Sequence, residues 1–411
     1  MHGGTPGGHR RLVPAAHGED RIRGFFDGGA LDVALAAAPG GYSKGGFAGT
    51  YTAPERALGL LGSGWPPRLG PRADTTPLRD GLEPVLELAR RETLSTAELT
   101  AAADLCPCCA AEAPDGRWLL RVMFEEADVE SEGDRNRQIT ALMLLEALDG
   151  GPHGDPERPF RLAHGFGGVI DVDTLEARAR RAWRAAILRN YSVSAWRHLW
   201  RWLSEQLVGE AITARDLGDR LADALGTGTV SDLMSGLPER VDNDGLRPIE
   251  EELRSSEDPV PVRSLRQLAI GALRLGDLDG ETRNAFLGRD RDDLGPTWMQ
   301  HQLTEHADSA VADLGRDLAQ TMLRRAQRVA ASKMRMGSDL RPYVPTRLRD
   351  RDGLLSMVGT EPDADVSLRS WTLAQVMAGL GAIDHRQDGY TTSASGQELR
   401  SRLQASIANA Q

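Results

Sequence analysis

The sequence from Asp173 to Leu207 reads DTLEARARRAWRAAILRNYSVSAWRHLWRWLSEQL, and it decides the fold class. Its apolar residues recur every three or four positions, which is the spacing of one face of an α-helix. Asp173 followed by Glu176 is typical of a helix start, and the polar residues around Asn190 indicate a break. Leu and Ala repeat this spacing in many other windows. The sequence therefore predicts a mainly α, multi-domain helical protein, with a small α+β module at its C-terminal end.

Tryptophan and arginine alternate in this stretch, and two hypotheses account for them. Aromatic rings with neighbouring cations can form a stacking platform for single-stranded nucleic acid. Alternatively, Trp196, Trp200 and Leu203 lie on one helical stripe that faces the core, with the arginines on the opposite face. We favour the core because of the helical spacing. Trp202 lies off that stripe and is the residue that favours the platform.

Charge and composition exclude several classes of protein. The 411 residues carry 49 basic against 60 acidic side chains, a net charge of −11, so any contact with nucleic acid must be local. Lys44 and Lys333 are the only lysines, which leaves nearly all positive charge on guanidinium groups. No apolar run is long enough to cross a bilayer, and residues 1–24 lack the apolar core of a secretory signal. We therefore expect a cytoplasmic protein of bacterial type without membrane contact.

Changes in composition along the chain predict its domains. Pro, Asp and Glu dominate residues 236–264, and the apolar spacing from Thr297 to Met336 predicts one long helix after an acid-rich loop at 277–293. The predicted segments are a disordered arm (1–24), a loop-rich N-terminal module (25–115), a helical domain (116–235), an acidic linker (236–264), a helical domain with the long helix (265–336) and the C-terminal module (337–411).

All three cysteines lie together, at Cys106, Cys108 and Cys109. Clustered thiolates are soft ligands for zinc, so these residues are weak candidates for half of a metal site. Their spacing does not fit a zinc knuckle, and the chain has no fourth cysteine. We therefore expect no cofactor. The three cysteines are then small buried side chains at the end of the helix that begins at Ser95 and Glu98. A zinc-dependent enzyme that uses this cluster remains as a third functional hypothesis.

The C-terminal residues carry the one resemblance to a known family. A helix over Ser367 to Leu380 ends in Leu-Gly-Ala-Ile, a polar turn and Tyr390-Thr-Thr follow, and Ser393-x-x-Gly-x-x-Leu opens a last helix. This order resembles the second half of a winged-helix domain and covers about residues 340–411. The resemblance implies contact with duplex DNA through the helix before the wing, with Arg369 exposed, and through the wing itself, with His385 and Arg386.

The charge around this segment is uneven. Residues 353–411 carry four arginines against six carboxylates, whereas residues 313–353 carry ten basic residues against five acidic ones. The second region is the strongest candidate for a phosphate-binding surface in an acidic protein. Its candidate DNA-binding residues are Arg324, Arg325, Arg328, Lys333 and Arg335. A solvated helix face explains the same charges almost as well.

No catalytic set or phosphate loop is present at a recognisable spacing, so we expect a non-enzymatic protein. The first hypothesis is a DNA-associated or regulatory subunit of a larger intracellular complex, of the kind found in host defence or mobile elements. The second is a scaffold that binds protein partners without nucleic acid. Salt dependence distinguishes them, because phosphate contacts weaken steeply with salt and apolar contacts do not.

Overall fold

The structure is a computed structural model, and the description below concerns only part of the chain. The described residues are 26–27, 29–33, 52–64, 68–101, 111, 114–126, 128, 131–166, 173–238, 248–288, 294–336, 342–344, 346–359, 361, 366–386 and 388–409. The predicted arm at 1–24 and the three cysteines lie outside them.

The first half of the chain is mainly helical, as the apolar spacing predicts, with a few short strands. Its elements in chain order are β1 (Phe26–Asp27), β2 (Ala30–Asp32), α1 (Thr52–Ala57), α2 (Thr75–Ala89), β3 (Thr93–Ser95), α3 (Thr96–Ala101), α4 (Pro114–Leu120), a π-helical turn (Arg121–Glu125), α5 (Glu132–Ala147), α6 (Glu157–Gly165) and α7 (Leu175–Glu205).

The second half continues with helices and ends in two hairpins and a final helix. Its elements are β4 (Ile212–Thr213), α8 (Ala214–Leu225), α9 (Val230–Met234), α10 (Ile249–Arg254), α11 (Val260–Asp277), α12 (Gly280–Leu287), α13 (Pro296–Glu305), α14 (Val311–Ser332), β5 (Arg335–Met336), β6 (Pro342–Tyr343), β7 (Leu348–Arg351), β8 (Leu354–Met357), α15 (Ser370–Gly379), β9 (Ile383–Arg386), β10 (Gly389–Thr392) and α16 (Ala394–Asn409). The mainly α fold class is confirmed.

The chain forms two compact units, and neither is continuous in sequence. The first unit takes Met1–Phe160, Thr174–Ala179 and Arg369–Gln411, and the second takes Arg161–Asp173 and Arg180–Leu368. The predicted C-terminal module is thus divided, with its residues up to Leu368 in the second unit and the rest in the first.

In the first unit, the end of the chain packs on α5. Helix α16 buries Leu399, Leu403 and Ile407, which recur every four residues, and it lies against α5 and the π-helical turn. The β9–β10 hairpin is held on the same helix by Thr392, whose hydroxyl donates to the Leu145 carbonyl at 3.0 Å. Helix α15, the β9–β10 hairpin and α16 follow one another in the chain, and α5 from the first half of the chain packs against α15 and α16.

A close approach fixes the start of α16. The Ser393 hydroxyl accepts a hydrogen bond from the Gly396 amide at 3.0 Å, which caps the first turn. A Cβ atom on Gly396 would lie 2.0 Å from the Ala382 carbonyl oxygen, so this position requires glycine. The Ser-x-x-Gly spacing therefore encodes both the cap and the contact with the preceding hairpin.

In the second unit, α7, α8, α11 and α14 surround one apolar core. Helices α8 and α14 cross closely, since a Cβ on Gly315 would lie 3.2 Å from Cα of Ala222. One face of a three-stranded sheet in the order β4-β8-β7 covers the same core through Ile212, Leu348 and Leu355. The sheet joins residues that are far apart in sequence, because β4 precedes α8 and the β7–β8 hairpin follows α14.

Helix α7 is unbroken where the sequence indicates an interruption, so that prediction is wrong. The side chain of Asn190 donates to the Val366 carbonyl at 2.8 Å, and the hydroxyl of Tyr191 donates to Glu251. Their polar groups find tertiary partners and do not compete with the helix backbone. The helix also begins one residue later than expected, where the hydroxyl of Thr174 accepts from the Ala177 amide.

Three further expectations about helices are wrong. The predicted long helix is divided into α13 and α14, because Ser309 and Val311 form main-chain hydrogen bonds with Val230 and Gly228. The acid-rich loop contains α12, which Asp279 caps by accepting from Thr282. Within the segment 236–264, predicted to be a linker, α10 is helical and packs against α11.

Candidate nucleic-acid interface

The basic residues of α14 fall into two groups with different surroundings. Near its start, Arg316 bonds Asp219 of α8 at 2.6 Å and Asp313 at 3.0 Å. The hydrogen bond to Asp219 raises the pKa of this guanidinium above its ordinary value. Two carboxylates thus offset the charge of Arg316, which reduces its contribution to a surface for anions.

The second group lies at the other end of α14. Arg324 and Arg328 are exposed on successive turns, and Arg325 is half-buried. A hydrogen bond of 3.0 Å to the Thr321 hydroxyl directs the Arg324 guanidinium. Lys333 follows the last helical residue, and Arg335 begins β5, both exposed. The structure thus brings the five predicted residues of this region into one unit, and together they are called the basic helix end.

The β7–β8 hairpin lies beside the basic helix end. Its turn residues Asp352 and Gly353 have φ angles of 53° and 82°, as a tight two-residue hairpin turn requires. The amide of Gln327 on α14 donates to the Asp350 carboxylate on β7 at 3.3 Å. Leu348 and Leu323 belong to the same core cluster, so packing as well as a hydrogen bond holds the helix and the hairpin together.

The register of the hairpin separates its side chains into two faces. Leu348 pairs with Met357 and Asp350 with Leu355, and these four residues form the face toward the core and α14. The opposite face carries Arg349 beside Ser356 and Arg351 beside Leu354. Arg347 continues this row, because its carbonyl accepts from the Val358 amide. The row Arg347, Arg349 and Arg351 with its partners Val358, Ser356 and Leu354 is called the arginine ribbon.

The arginine ribbon combines cations with exposed apolar side chains. Arg349 and Arg351 are exposed, Leu354 is 44% exposed and Val358 is 58% exposed. Arg347 has a carboxylate nearby, since its guanidinium lies 3.9 Å from Glu361. These arginines contribute to the basic charge of residues 313–353, but they are not among the residues predicted to bind DNA. The pattern that identifies them is R-x-R-x-R directly before an Asp-Gly turn.

The three candidates implied by the winged-helix resemblance lie in the first unit. Arg369 is exposed and precedes α15 with a φ angle of 69°. Arg386 is exposed at the end of β9, where its guanidinium lies 3.2 Å from the Asp384 carboxylate. The β9–β10 hairpin therefore carries a neutralising carboxylate two residues from its arginine, which weakens its attraction for phosphate.

His385 packs against its neighbours in this hairpin. Its ring stacks on Tyr390 with centroids 4.2 Å apart. Trp371 of α15 meets the Tyr390 ring edge-on, with centroids 5.7 Å apart. Burial raises the pKa of Tyr390, with a further contribution from Asp155. These contacts explain His385 as part of a small aromatic cluster that fixes the hairpin on its helix.

Three of the four tryptophans of α7 lie against the core of the second unit. Trp196, Trp200 and Trp202 are partly buried on the apolar cluster, and Trp196 also meets Trp298 with ring centroids 6.1 Å apart. The core interpretation is favoured for all three, including Trp202, which lies off the predicted stripe. Their rings do not form an open row on which bases could stack.

The described residues contain neither a group of side chains that could hold a metal ion nor a helix that could span a membrane. No group of three or more His, Cys, Asp or Glu side chains there is placed to hold a metal ion, and the cysteine cluster lies outside this part of the chain. Among the helices described, none has the length and apolar character needed to cross a membrane.

Comparison with known proteins adds no family to these observations. Neither the models of protein families, nor the curated proteins, nor the solved structures contain a match to this chain. The function is therefore argued from the charges and contacts of the two surfaces of the second unit.

Proposed function

We propose that this protein is a DNA-associated subunit without catalytic activity, which holds duplex DNA by its phosphates at the basic helix end. It would act in a larger intracellular assembly, of the type that serves host defence or mobile elements. The observation that carries the proposal is the placement of five cationic side chains on the last turns of α14 and the residues after it, beside a hairpin with three more arginines.

The local charge is what a phosphate-binding surface needs in an acidic protein. Guanidinium groups bind phosphate oxygens through two parallel hydrogen bonds, and they stay charged at any physiological pH. Asp350 is the acidic residue between the two elements, and its carboxylate accepts from Gln327 on the inner face of the hairpin. Arg324, Arg328, Lys333 and Arg335 are exposed, while the Asp350 carboxylate is hydrogen-bonded toward α14.

A protein-binding role is the second candidate, and one observation favours it. Met334 is 56% exposed and Met336 is 63% exposed, next to Lys333 and Arg335. Flexible methionines surrounded by cations suit an acidic, apolar peptide. The salt dependence of the affinity distinguishes this candidate from the first, because apolar contacts through methionine keep their strength when the salt concentration is raised.

The test is binding of the full chain to duplex and single-stranded DNA over a salt series. For the unaltered protein we expect log K to fall steeply with log salt, by about 0.9 per neutralised phosphate. Changing Arg324, Arg325 and Arg328 together to Ala should lower affinity and reduce this slope by about two to three.

A matched control removes the same charge from a different surface. Arg68, Arg79 and Arg90 are exposed arginines of the first unit, and their joint change to Ala alters net charge equally. This control should retain the slope of the unaltered protein. The proposal is wrong if the folded protein does not bind duplex DNA at low salt, or if the two triple variants lose affinity equally.

A further inference from the structure

The arginine ribbon differs from the basic helix end in a way that points to a second role. Phosphate contacts need cations and hydrogen-bond donors but no apolar groups, whereas the ribbon pairs its arginines with Leu354, Ser356 and Val358 on the partner strand. Apolar groups exposed among cations gain nothing from a phosphate, but they do contact the methyl groups of thymine in a groove. This mixture is suited to the edges of base pairs.

We infer that the arginine ribbon reads base edges in the DNA major groove, with Arg349 and Arg351 as donors to guanine. The inference rests on the proposed function, because the basic helix end would hold the duplex beside the ribbon. Arginine donates two hydrogen bonds to the O6 and N7 atoms of guanine, which is the commonest specific contact of this kind.

The dimensions of the ribbon favour the major groove. The β7–β8 hairpin is the outer part of the three-stranded sheet, and its two strands, about 4.8 Å apart, are narrow enough for a major groove about 12 Å wide but not for a minor groove about 6 Å wide. β7 is the outer strand of the described sheet, and β8 has β4 on its other side. The strand with the arginines is therefore the one that enters the groove first.

The spacing of the arginines matches the repeat of DNA. Alternate residues of an antiparallel strand are about 6.8 Å apart, which equals two steps of about 3.4 Å along one DNA strand. Arg349 and Arg351 would thus face base pairs two steps apart, while Leu354 lies across from Arg351. Arg347, whose guanidinium has Glu361 nearby, lies farther from the turn and is not needed for this contact.

The test compares three duplexes of about two helical turns that differ only at guanine. The first contains guanine, the second contains 7-deazaguanine, which lacks the N7 acceptor of the major groove, and the third contains inosine, which lacks the amino group of the minor groove. We expect the unaltered full chain to bind the 7-deazaguanine duplex about tenfold more weakly than the first. Inosine should leave the affinity unchanged.

Two variants distinguish base contact from charge. Arg349→Lys with Arg351→Lys keeps both charges but removes the planar pair of donors. This variant should lose the discrimination against 7-deazaguanine and retain the salt slope. Arg349→Ala with Arg351→Ala should lose the discrimination and lower the salt slope by at most about two, because the basic helix end still holds the duplex. Both pairs of changes are at exposed positions, and unchanged thermal unfolding confirms that the fold is intact.

The outcomes separate this inference from the proposed function. If the chain binds duplex DNA through the basic helix end but does not distinguish 7-deazaguanine, the inference is wrong and the proposed function stands. An effect of inosine alone would assign the ribbon to the minor groove and likewise overturn it. If no duplex is bound at low salt, both are wrong, and an acidic protein partner becomes the alternative for the ribbon.

Discussion

Arginine has two different environments within the second unit. Arg274 is 1% exposed and makes two hydrogen bonds to Glu250, at 2.7 and 2.8 Å, while the face of Phe166 lies 5.5 Å from its guanidinium carbon. Arg349 and Arg351 are exposed on a hairpin. The same residue type thus stabilises the interior in one region and presents charge to solvent in the other.

The buried arginines are surrounded by groups that compensate their charge. Arg161 bonds Glu251 at 3.1 Å, and the hydroxyl of Tyr191 donates to the same carboxylate, so the acid-rich α10 is drawn into the core. Burial and the neighbouring charge of Arg274 lower the pKa of Arg184, and the carboxylates of Asp279 and Asp277 offset part of that lowering. The lesson of the comparison is that the number of arginines in a region says little about function until their carboxylate partners are known.

The largest effect is expected from breaking the buried pair. Arg274→Met leaves the Glu250 carboxylate buried without a partner, so the free energy of unfolding should fall by about 3–5 kcal/mol. Urea unfolding followed by tryptophan fluorescence measures this change, since Trp196 and Trp298 lie in the same unit. DNA affinity of the folded variant should equal that of the unaltered protein.

A double variant sharpens that result. Arg274→Met combined with Glu250→Leu removes both charges and should recover most of the lost stability, because a well-packed apolar pair replaces a buried ion pair at little cost. If the single variant is as stable as the unaltered protein, the buried pair does not stabilise the fold, and the contrast with the exposed arginines is lost.

A smaller effect separates two arginines of the same helix. Arg316→Ala removes a guanidinium that Asp219 and Asp313 already neutralise, so duplex affinity should change by less than about twofold. Arg324→Ala, eight residues further along α14, should weaken binding more and lower the salt slope by about one. Equal losses from the two variants would show that the whole helix, and not its end, attracts DNA.

Much of the fold follows from local patterns in the sequence. The apolar spacing of α16 and the Ser95–Glu98 helix start are local, and the structure has both. The division of the C-terminal module is not local. It depends on β4 pairing with β8 and on the apolar stripe of α16 meeting α5, and no spacing within either segment encodes those partners.

The candidate site shows the same limit. The local net charge in the sequence predicts the basic helix end. Arg316 has the same chemistry as the arginines of that group, and it differs from them through its hydrogen bond to Asp219 on another helix. The buried role of Glu250 was likewise hidden, because its partner is 24 residues away on the next helix. The arginine ribbon was readable in principle from R-x-R-x-R before Asp-Gly, but the face that these residues share depends on the strand register.

The smallest effect tests whether carboxylates near the ribbon limit its attraction for DNA. Asp350→Asn removes one negative charge and keeps an oxygen that accepts from Gln327, so the hairpin should stay on α14. Two unit charges about 7 Å apart in water interact by about 0.6 kcal/mol, so removing the repulsion between Asp350 and one phosphate at that distance predicts about threefold tighter duplex binding at low salt. Salt screens this repulsion, so no gain is expected at high salt. Asp350→Ala is the control, because it removes the charge and the hydrogen bond together and so loosens the hairpin. If Asp350→Asn binds no more tightly than the unaltered protein, bound DNA does not lie within reach of the charges of this hairpin, and the contrast between its exposed arginines and those of the core has no consequence for DNA binding.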